Sequence, residues 1–390
     1  MNASLPDPNA LKTLPEALTP LRERILANLV MIAQIPSPTG GEGPRVRFLL
    51  DRFAEAGMTD ASADEAGNAV GRLRGAAGRR TILLVSHLDT IVSALEPHEV
   101  RVEADRVLAP AVADNALGAA VVSLMPVVLE RLGIQLQSDL LLVGSTRSVG
   151  RGNHAGLRFF LDHPPQKIDA GICVEGIRLG RLNFFSVGTA RADVTCTVRE
   201  TNETSGNYGS KNAIVALNDI VGRILGIATP SQPYTMIRLG KLRAGVDYDV
   251  EPDQAKLGLE IISHSDEMIE QICSQIRDIV GEASAQHAVD AALDVFFSTK
   301  AGGVPFSHPL VKAVLDVMEQ LGIEPDQSHA PSELSELIAR GIPSVTLGIT
   351  YGKRGSQQEP DHVHIGPLLT GVAQLVGAVL AIDSGVCDAS

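Results

Sequence analysis

The sequence predicts an α/β fold, a mostly parallel sheet flanked by helices, interrupted by an inserted α+β domain of antiparallel sheet plus two helices. Three observations predict it. Short unbroken apolar runs at residues 81–86 (TILLVS), 139–144 (DLLLVG), 170–174 (AGICV) and 344–348 (SVTLG) have the signature of buried strands. Segments of helical spacing alternate with them, the order that builds parallel sheets. From about residue 187 to 295 the pattern changes to half-buried strands and long amphipathic helices. The boundaries are therefore 1–186 and 296–390 for the α/β domain and 187–295 for the insertion. With 390 residues the chain is long enough for such an arrangement, at about 150 residues per domain.

Residues 1–20 carry four prolines and little periodicity, and read as a loose leader. Residues 21–35 place Leu21, Ile25, Leu26, Leu29, Val30 and Ile32 at helical spacing, and the Pro36-Ser37-Pro38-Thr39-Gly40-Gly41 run stops that helix. A second helix spans 44–56. Gly67-Asn68-Ala69-Val70-Gly71 marks a hairpin turn between short strands. Residues 113–129 form a helix between the first two buried strands. In the insertion, Ala192, Val194, Cys196 and Val198 alternate along a half-buried strand over 190–199. Two helices follow with the same apolar spacing, one through Ile214, Leu217, Val221, Ile224 and Leu225, the other through Ile269, Ile272, Ile276, Ile279 and Val280. Strands at 236–242 and 255–263 lie between them. This β-α-β-β-α order gives a sheet covered on one face by helices. Helices at 308–321 and 333–340, the strand at 344–348 and a terminal helix at 371–382 complete the α/β domain.

Composition excludes several functions. The 46 acidic against 33 basic residues give a net charge of −13, so phosphate contact on nucleic acid is disfavoured, as is an anionic membrane surface. The four cysteines (Cys173, Cys196, Cys273, Cys387) form no CxxC pair, which excludes a Cys-rich zinc site and fits a reducing compartment. The first ten residues have no basic start leading into an apolar run, so no signal peptide is expected and the location expected is cytoplasmic. No apolar stretch is expected to reach the roughly 18 residues needed to span a bilayer, residues 371–382 being the longest. Tryptophan is absent and aromatics are 3%, too few for carbohydrate stacking. A GxSxG elbow, a Walker loop and a strand-linked GxGxxG are all missing, which argues against a serine hydrolase and a nucleotide site.

The residues that can carry chemistry sit at the ends of strands and helices. His87 and Asp89 follow the first buried strand two residues apart, so both can face the same way, and a carboxylate beside an imidazole orients a metal ligand. Asp114 opens Asp114-Asn115-Ala116-Leu117-Gly118 at a helix start, where it can equally be an N-cap. Glu175 ends the third strand, where it can equally be a solvated loop residue. Cys173, two residues earlier, reads as core.

Taken together, these residues resemble the co-catalytic zinc metallopeptidases and deacylases that include acetylornithine deacetylase, succinyl-diaminopimelate desuccinylase, aminoacylase and aminotripeptidase. The resemblance covers nearly the whole chain. It runs from Ile35-Pro36-Ser37-Pro38-Thr39-Gly40 through Ser86-His87-Leu88-Asp89-Thr90 and Asp114-Asn115-Ala116-Leu117-Gly118 to Glu251-Pro252-Asp253 and Gly341-Ile342-Pro343-Ser344-Val345. It implies a zinc-exopeptidase-like fold in which the insertion is a lid and dimerisation domain. It also implies that His87 and Glu175 hold one zinc, that Asp114 bridges two, that Asp89 orients His87, and that the Asp114–Asn115 peptide is cis. Small peptides or N-acyl amino acids are the implied ligands, and a homodimer through the insertion the implied assembly. No residue is assigned to substrate binding.

The pattern then breaks. Arg147 and Ser148 align with the family's paired glutamates, general base and zinc ligand. A guanidinium cannot accept a proton, and serine is not a usual zinc ligand. The last family ligand, a histidine, aligns with Gln357 or Gln358. His362 and His364 alternate close behind and are candidates to replace it, against the alternative of a surface pair. The family's substrate-binding histidine falls within residues 201–207, which hold none. Three metal positions survive, which suits one zinc rather than two, with a metal-free site as the further alternative. Losing a general base costs about 10²–10⁴ in rate. Two readings follow: a hydrolase of small amides or peptides with an altered site, its base supplied by Glu333, Glu359, His154, His362 or His364, or an inactive binding protein in which Arg147 pairs with Asp114 or Glu175.

Overall fold

The computed structural model describes residues 8–58, 60–199, 212–287, 289–328, 332–355 and 359–388. The chain divides into two compact units, one of residues up to Ser186 together with those from Gly303, the other Val187–Gly302.

Among the described residues, the larger unit is built on a seven-stranded sheet. Its order is Asp60–Ala63, Ala69–Leu73, Asp139–Ser145, Thr81–His87, Ala170–Ile177, Ser344–Thr350 and Leu182–Asn183. The four longest strands run parallel, and antiparallel strands close both edges. Every residue of Thr81–His87 and of Ser344–Thr350 is buried, as the unbroken apolar runs require of strands covered on both faces. Helices Arg22–Ala33, Gly43–Glu55, Leu117–Arg131, Pro309–Gln320 and Leu368–Asp383 supply side chains to the large core. A smaller core, of Leu83, Val85, Leu141, Val143, Leu157, Phe160 and Leu337 among others, involves helices Ala155–Asp162 and Leu334–Ile338.

Three expectations are corrected in this unit. The leader holds a helix, Pro8–Ala17, with Leu11, Leu14 and Leu18 buried at and just beyond its end. Their i, i+3, i+7 spacing was present but masked by the prolines, and Pro15 is accommodated inside the helix. The helix expected at 113–129 begins properly at Leu117, because Asp114 and Asn115 have non-helical φ/ψ. The terminal helix is also not the longest apolar run. The 20 residues of Val112–Arg131 are long and apolar enough to cross a membrane by length and composition, and 89% of that window is buried inside the protein. Core packing explains its composition.

The smaller unit is an antiparallel sheet ordered Thr235–Ala244, Gln254–Ser263, Gly188–Val198 and Val289–Thr299. Helices Ala213–Leu225 and Asp266–Gln286 pack on one face, where Leu217, Ile220, Ile272 and Ile276 meet Ala192, Val194, Leu257 and Leu259. Asn212 and Ser265 cap the two helices by accepting from the Ile214 and Met268 backbone N–H groups. The strand Val289–Thr299 was not anticipated from the sequence. Along it, Val289, Ala291 and Leu293 turn inward in alternation, and the consecutive exposed residues Asp294 and Val295 shift the period before Phe297 and Thr299, which divides the signal into two short pieces.

Candidate metal centre

Three parallel strands deliver the site at their carboxyl ends, the usual place for chemistry in an open α/β sheet. His87 is the last residue of its strand, Glu175 lies two residues before the end of another, and Ser145 ends the strand between Ala69–Leu73 and Thr81–His87. Asp114 comes from the kinked turn before the buried helix, not from a helix cap, since the residue at the N-cap of Leu117–Arg131 is Ala116. Asn115 clamps that turn. Its side-chain amide donates to Ser86 Oγ at 2.9 Å and to the Val174 carbonyl at 2.7 Å, and its Oδ1 accepts from Gly118 N–H at 3.2 Å. Gly118 must be glycine, because a Cβ there would lie 2.4 Å from Asn115 Oδ1 and 2.6 Å from the Val174 oxygen. The Asp114–Asn115 peptide is cis.

One ligand atom from each of His87, Asp114 and Glu175 lies within 4.8 Å of the others. His87 Nε2 is 3.2 Å from Asp114 Oδ1, and His87 Nδ1 is 2.9 Å from the Asp89 backbone oxygen. Burial opposes charge on His87, but Asp114, Asp89 and Glu333 outweigh it and raise its pKa well above the ordinary value. Burial likewise opposes the Asp114 carboxylate, yet His87, Arg354 and Arg181 hold its pKa low. For Glu175, burial prevails over Arg181 and, with Glu333, raises its pKa. One imidazole and two carboxylates is a donor set suited to zinc, and the crowding of acidic groups around Glu175 is what a divalent cation relieves. These residues fit a divalent metal ion.

The segment with Arg147 and Ser148, which the resemblance aligns with paired glutamates, is held from three sides. Asp89 is fully buried and accepts from Ser148 N–H at 3.0 Å, Val149 N–H at 2.9 Å and the Thr39 hydroxyl at 2.8 Å. Glu42 accepts from Arg147 N–H at 2.9 Å and Gly40 N–H at 2.8 Å. Asn68 Oδ1 accepts from Thr146 N–H at 2.9 Å, and its amide donates to the Gly156 carbonyl at 2.9 Å. Asp89 thus does more than face His87: its Oδ1 lies 3.7 Å from His87 Nδ1, and both its oxygens grip the loop.

Arg147 behaves differently from expectation. Its backbone is left-handed, with φ 51°, and its guanidinium donates to the Ala66 carbonyl at 3.3 Å rather than to Asp114 or Glu175. The arginines that reach those carboxylates are Arg354, 2.8 Å from Asp114 Oδ2, and Arg181, 3.8 Å from Glu175 Oε1. Sequence reading missed both. Ser148 Oγ lies 3.2 Å from Ser145 Oγ, a serine pair in place of an acidic ligand. His362 and His364 sit on the short strand His362–His364, their rings edge to face at 5.4 Å, and the ligand cluster does not include them. Glu359 is exposed and pairs with Lys353. Residues 201–207 and Gln357 and Gln358 lie outside the described residues.

Glu333 and His154 stand beside the cluster. Both are buried, with His154 Nδ1 3.8 Å from Glu333 Oε1, and the Glu333 charge reaches both His87 and Glu175. Burial pushes the His154 pKa down to about 4. Below pH 6.5 the unfolded chain takes up a proton that the folded chain refuses until about pH 4. The contribution of His154 to stability is therefore full above 6.5 and declines as pH falls through that window, by up to about 3 kcal/mol. His154→Asn, which tolerates the left-handed backbone there (φ 53°), removes that slope. Urea midpoints between pH 7 and pH 4 measure it, and equal slopes for the two proteins would refute the assignment to His154.

No protein-family model matches the chain. A curated relative, carboxypeptidase G2 of a Pseudomonas strain, is 25% identical over 224 residues, 54% of this chain and 53% of the relative. The alignment thus spans about half the length of that relative. Among solved structures, the dipeptidase Dug1p of Saccharomyces cerevisiae superposes with a TM-score of 0.77 at 11% identity, covering 98% of this chain and 99% of that one. The Bacillus subtilis YXEP protein, described as a dinuclear metal-binding peptidase of the M20 family, superposes with a TM-score of 0.64 at 12% identity, covering 93% and 98%. At these identities the likeness is one of fold.

Proposed function

We propose that this chain, which has the fold of the M20-family metallopeptidases, is a metal-dependent hydrolase of peptide or N-acyl amide bonds. The observation that carries the reading is the convergence of His87, Asp114 and Glu175 from three separate elements within 4.8 Å. These residues would hold one zinc ion, which when bound lowers the pKa of water and polarises a carbonyl. Asp89 fixes the His87 ring and the loop through Ser148 and Val149. Glu333 is the proton acceptor: it is a carboxylate buried beside the cluster, its charge reaches two of the three ligands, and it is not itself one of them. His154, neutral above its low pKa, packs against Glu333 without competing as a cation.

A second reading, a binding protein without turnover, draws on Arg147 and Ser148, which supply neither base nor ligand at the family's positions. The test is to load purified protein with zinc and assay dipeptides and N-acyl amino acids by amine release. Hydrolysis is expected, and Glu333→Gln is expected to lower kcat by about 10²–10⁴ when measured at saturating zinc. An unaltered kcat would remove Glu333 from the mechanism. Zinc bound with no hydrolysis across the panel would favour the binding protein.

A further inference from the structure

A carboxylate that bridges two metal ions must offer one oxygen to each, and the family resemblance implies that role for Asp114. In this chain the two oxygens of Asp114 have different partners. Oδ1 faces His87 Nε2 at 3.2 Å, inside the ligand cluster. Oδ2 is held by the Arg354 guanidinium at 2.8 Å. The segment that the resemblance aligns with paired glutamates offers the Ser145–Ser148 hydroxyl pair and no carboxylate. A second dication would therefore lack an acidic ligand from that segment and would meet a fixed positive charge at the oxygen it needs. The residues do not fit a second ion.

The geometry points to Arg354 as a built-in second cation, occupying Asp114 Oδ2 so that the centre takes a single metal ion. This deepens the hydrolase reading and rests on it. Two further observations support it. Arg181 repeats the device on Glu175, at 3.8 Å, so each metal-binding carboxylate has its own guanidinium. The Arg354 side chain is also 65% exposed while that of Asp114 is 16% exposed, so the arginine approaches a mostly covered carboxylate from solvent. A guanidinium is permanently charged and carries five N–H donors in fixed directions. Bound to Asp114 through one of them, it can offer others to a substrate carbonyl or carboxylate oxygen, the group a second ion would otherwise polarise. Unlike a metal ion, it cannot be removed by a chelator.

Arg354 has a measurable effect on the first ion. A positive charge on the far oxygen of Asp114 weakens that carboxylate's hold on a dication at the near oxygen, and its removal strengthens it by about tenfold. The experiment is a zinc titration of the full chain against a competing chromophoric chelator, with ion counting by mass spectrometry of the intact protein. The wild type is expected to take one zinc ion. Arg354→Ala is expected to bind that ion about tenfold more tightly. Arg354→Lys, which keeps the charge, is expected to stay near the wild-type affinity and controls for any general loosening of the fold. Two ions on the wild type, or an Arg354→Ala affinity equal to or weaker than the wild type, would overturn the role given to Arg354 while leaving a metal-dependent hydrolase standing. No ion on the wild type would overturn both.

Discussion

Asp114→Asn is expected to reduce zinc affinity by at least about 100-fold, and hydrolysis with it. Even residues that only orient ligands cost about 10–100-fold when lost, and Asp114 is itself one of the three candidate ligands. The amide fails for a geometric reason. One carboxylate oxygen faces His87 and the other faces Arg354, so an NH₂ in either position points a donor at a donor or at the ion. The turn itself stays in place, because Asn115 holds it through Ser86, Val174 and Gly118 independently of Asp114. The substitution therefore tests binding more than folding. Calorimetric zinc titration of the two proteins decides it, with circular dichroism to show that the fold is kept. Unchanged zinc binding would mean that Asp114 serves Arg354 and not a metal.

Asp89→Ala is expected to destabilise the protein by about 2–4 kcal/mol. Removing this fully buried carboxylate strands the Ser148 and Val149 N–H donors and the Thr39 hydroxyl, and a buried unsatisfied donor costs about 1–3 kcal/mol. Some of the loss is recovered where the loop can reach water. The consequence at the site is larger than the stability change implies, since the same carboxylate lies beside the His87 ring. Denaturant unfolding measures the first effect, and zinc affinity of the folded variant the second. A stability within about 1 kcal/mol of wild type would show that Glu42 and Asn68, the loop's other two acceptors, suffice to hold it.

The strands that carry the site were legible because burial on both faces leaves no choice of residue. Thr81–His87, Ala170–Ile177 and Ser344–Thr350 announce themselves as apolar runs, and polar residues at their ends stand out against them. His87 and Glu175 stand out in this way and Asp114 at a helix start, and the family resemblance is what joined the three as candidate ligands. Glu333 could be named only as one of five candidates, because a glutamate before a short helix has no periodic mark. Arg181 and Arg354 were invisible. Arg354 meets Asp114 across 240 residues of chain, and a long flexible cation pairs by position in space rather than by any local pattern. Arg147 shows the reverse error. Its place in the sequence pointed to the ion cluster, whereas a left-handed backbone and the Ala66 carbonyl take its side chain elsewhere.

The sequence by itself determined the core strands, the place of the insertion and, through its resemblance to a known family, the three candidate ligands, because hydrophobic periodicity and short motifs are properties of neighbouring residues. Only the tertiary structure decided which charges meet those ligands. Electrostatic pairing depends on distance in space, and the chain brings Arg354, Arg181 and Glu333 to the site from turns whose composition carries no record of where they lead.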